Sequence, residues 1–361
     1  MYHRGFDKDD STLLKGCAIL MMLFHHLFLS KSRFKGYEIS FAPFSMNFVV
    51  NVAYMFKFAM GLYAFISGYG LLLSFQNLTD RKSITRNTKR RLLKLFFSFL
   101  FCYVICFIAS MCIDRYPLQV YFKRNVLEGV IYLILDTLGL SDLFGTPTLI
   151  SSWWYMSAAI MFIILAPMII SGTKKTGYLP ACFLCIALPR LIGNGFPGGT
   201  NPWSVLLPYL LGMIAADYSV FDKIDAFLSS KKFGFWAVLA FCLLGMALSY
   251  GVSTMVKRKE VWELHFGLLT IPWILFCNYI LGSISFLRKP LIFLGKHSMN
   301  IYFTHTFIRS RYGNSLVYSR GHFVMVFLTL LFLSLLLSIF IESFKKVLRY
   351  DKFTKSIIER I

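Results

Sequence analysis

The chain has little charge for its length, and little of that charge is negative. Only 15% of its 361 residues are charged, with 38 Lys and Arg against 17 Asp and Glu. Soluble domains carry about 25% charged residues, so this composition excludes an ordinary soluble protein. The net charge of +21 would suit nucleic acid if it formed one patch, but the basic residues lie between long apolar runs. We therefore expect contact with membrane lipids and no nucleic-acid partner.

Metal-binding and redox motifs are also lacking. The chain has 8 cysteines, but C-x-x-C spacing occurs only at Cys182 and Cys185, inside an apolar run and without the second pair that a zinc site needs. We predict no metal site and interpret the cysteines as packing residues. No internal repeat or low-complexity stretch divides the sequence, so residues 1–361 are predicted to form a single membrane-embedded domain.

Long apolar runs are what the sequence has in abundance. Hydrophobic residues make up 57% of the chain, and about twenty in succession are needed for a helix to cross a bilayer. The pattern predicts an all-α, polytopic transmembrane helical bundle with about ten spans. The predicted spans are Ser11–Leu29, Phe48–Phe75, Leu92–Ile113, Leu149–Ile170, Tyr178–Ile192, Trp203–Ala216, Gly234–Tyr250, Leu264–Leu281, Pro290–Ile308 and His322–Ile341. Val126–Leu140 is shorter and contains Glu128 and Asp136, so we interpret it as a re-entrant or interfacial helix.

The distribution of Lys and Arg predicts the orientation of the bundle. With ten spans, the loops on the side of the termini contain more basic residues than those on the other side, and Arg81–Lys94 is the densest basic run. Because cytoplasmic loops are enriched in Lys and Arg, both termini and the Arg81–Lys94 run are predicted to be cytoplasmic. We expect a multi-pass protein of the inner or plasma membrane.

The first span contains ionisable residues, which are costly in hydrocarbon and therefore indicate function. Lys15 and His26 are eleven residues apart, or three turns to within about 20° and a rise of about 16 Å, whereas His25 is turned from Lys15 by about 80°. Imidazole is a natural general base for a hydroxyl group. We predict that His26 is this base, with Lys15 at the cytoplasmic end of the same helix face. The alternative is that a histidine merely hydrogen-bonds a neighbouring helix.

Three basic residues open the third span at helical spacing, namely Arg90, Arg91 and Lys94. Their side chains can project together at the membrane surface, where Arg and Lys suit a multiply charged phosphate ligand. Topology and contact with lipid headgroups would explain the same residues without any ligand. The sequence leaves both explanations open.

These motifs resemble those of the membrane-bound acyltransferase-3 family. KGCAILMMLFHHLF is similar to the family's opening helix, in which ten positions separate a basic residue, more often Arg, from the catalytic histidine; Lys15 and His26 fall on these positions. KRRLLKLFF resembles its R-x-x-R entry to the third helix, with Arg91 and Lys94 on the basic positions. Similar stretches follow in the family's order: FISGYGLLLSF (Phe65–Phe75), SSWWYMSA (Ser151–Ala158), LPYLLGMIAAD and LGKHSMNIYFTHTFI (Leu294–Ile308).

The resemblance implies an O-acyltransferase. Family members move an acyl group, commonly acetyl, from cytoplasmic acyl-CoA (acetyl-CoA) to a hydroxyl of a sugar, polysaccharide or lipid-linked glycan at the other face. The resemblance implies a catalytic His26 and coenzyme binding by Lys15, Arg90, Arg91 and Lys94. It also favours acceptor binding by three further residues, which are Trp154, Tyr302 and His305. Trp154 could instead belong to an aromatic belt at the membrane interface.

The main alternative is a transporter or flippase for an anionic solute, with Lys15, the histidines and the basic run forming its path. Proton-coupled transporters usually need carboxylates within the membrane, and here these are scarce: Glu342 is near the end of a span, and Glu128 and Asp136 are in the short run. A scaffold without activity would leave the aligned Lys15–His26 pair unexplained.

Overall fold

The computed structural model describes residues 5–192, 202–231, 233–259 and 266–361. Within these ranges the chain forms helices joined by short 3-10 and π segments, and no strand is found, only an isolated bridge between Ser40 and His322. The prediction of an all-α fold is confirmed.

The helices are α1 (Lys8–Phe28), α2 (Met46–Met55), α3 (Ala59–Phe75), α4 (Arg81–Ile113), α5 (Tyr116–Tyr121), α6 (Val126–Thr137), α7 (Ser141–Phe144), α8 (Trp154–Thr176), α9 (Tyr178–Ile192), α10 (Leu206–Asp217), α11 (Val220–Ser230), α12 (Gly234–Lys259), α13 (Thr270–Leu275), α14 (Ser285–Thr306), α15 (Asn314–Tyr318), α16 (Phe323–Val347) and α17 (Tyr350–Glu359).

Six helical stretches of the described chain are long and apolar enough to cross a bilayer. They are Lys8–Phe28, Met46–Phe75, Arg81–Ile113, Ser151–Thr176, Gly234–Ser253 and Phe323–Val347. A bent pair, Pro202–Asp217 with Val220–Ser230, makes seven if it counts as one span. The shorter apolar helices Tyr178–Pro189 and Phe266–Leu281 coincide with two other predicted spans, although positions 264 and 265 lie outside the described residues. Ten spans therefore remains a prediction.

The run Val126–Leu140, which the sequence predicts to be re-entrant or interfacial, contains the short helix α6. It has 12 residues, about 18 Å of helix at 1.5 Å per residue, against a hydrocarbon core of about 30 Å. A helix of this length does not cross a membrane by itself. One group of its apolar side chains is exposed, as expected for a helix lying against lipid: Val126, Leu127, Val130, Ile131 and Ile134.

The start of α1 is fixed by local hydrogen bonds and by a partner helix. Asp7 and Asp10 form a capping box, in which each carboxylate accepts from the other residue's backbone N–H, and this satisfies groups that a helix start otherwise leaves unpaired. The Asp10 carboxylate also pairs with Arg288 of α14 at 3.0 Å. The α1 and α14 helices thus begin at the same end of the bundle.

Close backbone contact then holds α1 against α14. A Cβ added to Gly16 would overlap the Leu291 carbonyl oxygen, and one added to Gly295 would overlap the Thr12 carbonyl oxygen. Small residues allow helix backbones to approach in this way inside membranes. The contact fixes the position of α1 along α14 and therefore places the far end of α1 against the far end of α14.

The helix ends define two faces of the bundle. At the first, which we term the basic face, α1 and α14 begin, and Arg86 Nε of α4 donates to the backbone oxygen of Ile361 at 3.1 Å. Because α4 has 33 residues, or about 50 Å, its basic opening can extend beyond the hydrocarbon. On the opposite face Arg311 pairs with Asp114 at 2.6 Å. The start of α1, the C-terminus and the opening of α4 thus share one face; its cytoplasmic location remains a prediction.

Candidate functional site

His26 lies in the last turn of α1, near the opposite face, and its ring packs against α14. The ring centroids of His26 and His305 are 4.8 Å apart. His26 is partly buried, and its Nδ1 atom is enclosed without a hydrogen-bond partner in the described structure. Buried polar atoms are nearly always bonded, and exceptions often have a functional reason. The His26 Nδ1 atom is therefore not used by the fold within the described residues.

The neighbouring His25 is bonded differently. It is 6% exposed, and its Nδ1 lies 2.7 Å from the Ala53 carbonyl oxygen, so Nδ1–H donates to the backbone of α2. This bond fixes the ring against α2. The two adjacent histidines consequently face different helices, in agreement with the angular separation that the sequence predicts for an ideal helix.

His305 forms a buried wall beside His26. Its Nδ1 donates to the Tyr302 carbonyl oxygen at 2.8 Å, and its Nε2 lies 2.9 Å from Thr306 Oγ1. Because the neutral ring carries its proton on Nδ1 in this arrangement, Nε2 accepts from the threonine. Both ring nitrogens are thus engaged within α14, and His305 packs on His26 rather than hydrogen-bonding it.

The other predicted acceptor residues lie on α14 and at the start of α8. The Tyr302 hydroxyl donates to the Ser152 carbonyl oxygen, and Trp153 Nε1 donates to the Phe303 carbonyl oxygen at 2.9 Å. These bonds fasten the SSWW segment to α14. Trp154 is partly buried and lines a cavity of about 260 Å³ between α6 and α8. Tyr302 and His305 are therefore together in the wall, and Trp154 lines the neighbouring cavity.

A series of aromatic rings connects the Lys15 region of α1 to the histidines. The Tyr63 hydroxyl donates to the Lys15 carbonyl oxygen at 3.2 Å. From Tyr63 to Tyr155, and from Tyr155 to Tyr302, the ring centroids are 6.2 Å apart in each case. Tyr302 in turn lies 6.2 Å from the ring of His305. A series of packed aromatic side chains from α3, α8 and α14 thus extends from the Lys15 region to the packed histidines.

The predicted coenzyme residues Arg91 and Lys94 contact different parts of the bundle. The Arg91 guanidinium donates to the Gly70 carbonyl oxygen of α3 at 3.5 Å. The Nε atoms of Arg90 and Arg91 are both enclosed without a partner in the described residues. Gly70 lies seven residues after Tyr63, which is two turns along the same face of α3 to within about 20°. Arg91 is therefore aligned with the Lys15 region along α3.

Lys94 is directed elsewhere. It is exposed and lines a cavity of about 270 Å³ between α4, α16 and α17, together with Lys345, Tyr350 and Asp351. The prediction that Lys94 acts with Arg90 and Arg91 is not tested by this arrangement, but its side chain and that of Arg91 contact different parts of the bundle.

Two carboxylates in the segment between α5 and α8, Asp136 and Asp142, do not contact His26. Asp136 is buried and accepts hydrogen bonds from Tyr121, Ser141 and the backbone N–H of Leu149, so its oxygens are used within the α5–α8 region. Asp142 lines the cavity beside Trp154, and burial raises its pKa to about 6. Within the described residues no group of three or more His, Cys, Asp or Glu side chains is arranged to hold a metal ion.

One buried cation was missed from the sequence. Arg309 is 3% exposed and lies in the π-helical segment Phe307–Tyr312 that continues α14. Its charge acts on both His26 and His305. The signal was present, because Arg309 follows His305 by four residues, a spacing that places both on one side of a helix. Because the predicted span ended at Ile308, Arg309 was assigned to the loop that follows it.

The fold and the site together define a multi-pass membrane protein with an unbonded histidine nitrogen at the end of a series of packed aromatic side chains. The chain belongs to the acyltransferase-3 family: the family's acyltransferase domain matches residues 9–343. Neither the curated proteins nor the solved structures gave a match. The protein is accordingly an acyltransferase of the membrane, and the matched range contains every site residue that the sequence predicts.

Proposed function

We propose that the protein is an O-acyltransferase that moves an acyl group from acyl-CoA to a hydroxyl of a glycan or lipid-linked sugar. The acyl group we propose is acetyl. The observation that carries the proposal is His26, whose ring is held by α14 while its Nδ1 has no hydrogen-bond partner among the described residues. A positioned imidazole with a free nitrogen is what removal of a hydroxyl proton requires.

In the proposed reaction, His26 takes the proton of the acceptor hydroxyl while that oxygen attacks the thioester carbonyl carbon. The new C–O bond forms, the C–S bond breaks, and the coenzyme leaves as a thiolate that receives the proton from the imidazolium. His26 thus ends in the form in which it began. Packing against His305 limits rotation of the ring, and a positioned base typically contributes 10²–10⁴-fold in rate.

The coenzyme is proposed to enter from the basic face. Its phosphates would bind near Lys15, Arg90 and Arg91, where guanidinium groups suit multiply charged phosphate, and its extended arm would follow the aromatic series toward His26. Two observations support this direction: the enclosed, unpartnered Nε atoms of Arg90 and Arg91, and the alignment of Arg91 with the Lys15 region along α3. Lys94 could contribute only from the neighbouring cavity.

The acceptor is proposed to approach from the opposite face, where Trp154 and Asp142 line a cavity of about 260 Å³. An aromatic ring beside a carboxylate and several hydroxyl groups suits a sugar, which has both apolar faces and hydroxyl groups. Tyr302 would help to position Trp154, because its hydroxyl donates to the carbonyl oxygen of Ser152, just before α8.

The test is acyl transfer by the purified chain in lipid nanodiscs, supplied with labelled acetyl-CoA and glycans from the cell envelope. Mass spectrometry of envelope glycans from cells with and without the gene identifies the acylated product. We expect an added acyl mass that depends on the gene and on His26. Movement of a glycan across proteoliposomes without acylation would instead support the transporter.

A further inference from the structure

A second cationic group lies beside the histidines, on the side away from Lys15. Arg309 is almost completely buried, and its Nε is enclosed without a hydrogen-bond partner in the described structure. It lies within the π-helical segment Phe307–Tyr312, and such segments interrupt regular helices, frequently at functional sites. The helix that supplies His305 thus also delivers a guanidinium group to the same region.

A second arginine approaches from α1. Arg33 lies five residues beyond the end of α1, is partly buried, and its charge acts on Arg309 and on His26. Tyr318 interacts with both guanidinium groups, and its hydroxyl donates to the Leu27 carbonyl oxygen at 3.0 Å. The two cations therefore lie within electrostatic range of each other, and Tyr318 connects their region to the turn of α1 that carries the proposed base.

Arg33 and Arg309 differ from the buried Lys345 in having no acidic partner in the described structure. Lys345, which is also buried, pairs with Glu342 at 2.8 Å. For Arg33 and Arg309 the described residues provide no carboxylate within 4.0 Å. Two like charges in a low-dielectric setting without a counter-charge are costly, and ionisable residues at such positions in membrane proteins mark substrate pathways.

We propose that Arg309 and Arg33 bind an anionic group of the acceptor, a carboxylate or a phosphate close to the hydroxyl that is acylated. This inference rests on the proposed function and names its acceptor class: an acidic or phosphate-linked sugar. The planar guanidinium group pairs with either anion through two parallel hydrogen bonds. Bound there, the anion orients the acceptor hydroxyl toward His26, and the coenzyme phosphates remain on the other side of the histidine.

Binding can be measured with three small sugars that differ in charge: methyl glucuronide, glucose 1-phosphate and methyl glucoside. Calorimetry on the full chain in nanodiscs should show an affinity for one or both anionic sugars at least about tenfold above that for the neutral sugar. Comparing the affinities for methyl glucuronide and glucose 1-phosphate shows whether the site prefers a carboxylate or a phosphate. Arg309→Gln should remove the preference, and Arg309→Lys should retain part of it. Arg311→Gln, two residues away on a surface pair with Asp114, should behave as wild type.

Acyl transfer provides the second measurement. With Arg309→Gln, kcat/KM should fall at least about tenfold more for the anionic acceptor than for the neutral one. If Arg309→Gln does not insert into the membrane, Arg33→Gln provides the same comparison. Equal wild-type affinity for all three sugars, or an equal loss of kcat with charged and neutral acceptors, would overturn the proposal. If the anions bind through Arg309 but no sugar is acylated, the anion site stands and the proposed function fails.

Discussion

Two stretches of the bundle, one packed against the middle of α14 and one at its C-terminal end, differ in how their polar groups are bonded. In the middle of the helix, Asn300 Nδ2 donates to Glu342 Oε1 at 2.7 Å, and Lys345 donates to the same oxygen at 2.8 Å. Where α14 ends, His26 Nδ1 on the neighbouring α1 and Arg309 Nε in the π-helical segment that follows α14 are enclosed without partners in the described structure. Bonded polar groups hold membrane helices together, whereas buried groups that are left unbonded often have a functional reason. The comparison therefore separates residues of the fold from residues of the site.

The largest effect should come from breaking the contact that positions both stretches. In Gly295→Val, the new side chain would collide with the Thr12 backbone, and α1 must move away from α14. Small displacements of reacting groups can cost about 100-fold in rate, so we expect activity to fall at least that far, with a lower melting temperature. Gly172→Val is the matched control, because a Cβ there has open space. Full activity in Gly295→Val would show that this contact does not position His26.

A smaller effect is expected from the bonded stretch. Glu342→Gln leaves Lys345 buried without its counter-charge, and loss of a partly buried charged hydrogen bond should lower the free energy of unfolding by about 1–3 kcal/mol. Thermal unfolding in nanodiscs measures this, and Lys355→Gln, from an exposed pair with Glu359, is the control. Because this network is assigned to the fold, the KM for acyl-CoA should not change. A raised KM with unchanged stability would contradict the assignment.

The smallest expected effect is a difference in the KM for acyl-CoA between variants of two residues of the predicted coenzyme site, Arg91 and Lys94. Arg91 lies along α3 with the Lys15 region, whereas Lys94 lines the α16–α17 cavity. Arg91→Gln should raise the KM for acyl-CoA about tenfold, the value of one charge-assisted contact, and the difference should shrink as salt rises. Lys94→Gln should change KM less. Equal effects of the two variants would show that both side chains contact the coenzyme despite their separation here.

The sequence predicted what depends on one helix at a time. The alignment of Lys15 with His26, the contrast with His25 and the shortness of Val126–Leu140 follow from helix geometry and span length alone. The packing of His26 on His305 was not predictable, because residues 279 positions apart meet only through the contact between α1 and α14. The same limit applies to Lys94, whose cavity depends on α17, and to Asp136, whose bonds come from three separate segments.

The most direct test compares acyl transfer and acyl-CoA binding in His26→Ala and His25→Ala. His26 has an unbonded ring nitrogen in the described structure, whereas His25 is bonded to the Ala53 carbonyl. We predict that His26→Ala loses 10²–10⁴-fold in acyl transfer while His25→Ala keeps a substantial part. Both should bind acyl-CoA as wild type does, because its phosphates are proposed to lie three helical turns away. An active His26→Ala, or a His25→Ala that binds coenzyme but transfers nothing, would contradict the assignment of His26 as the base.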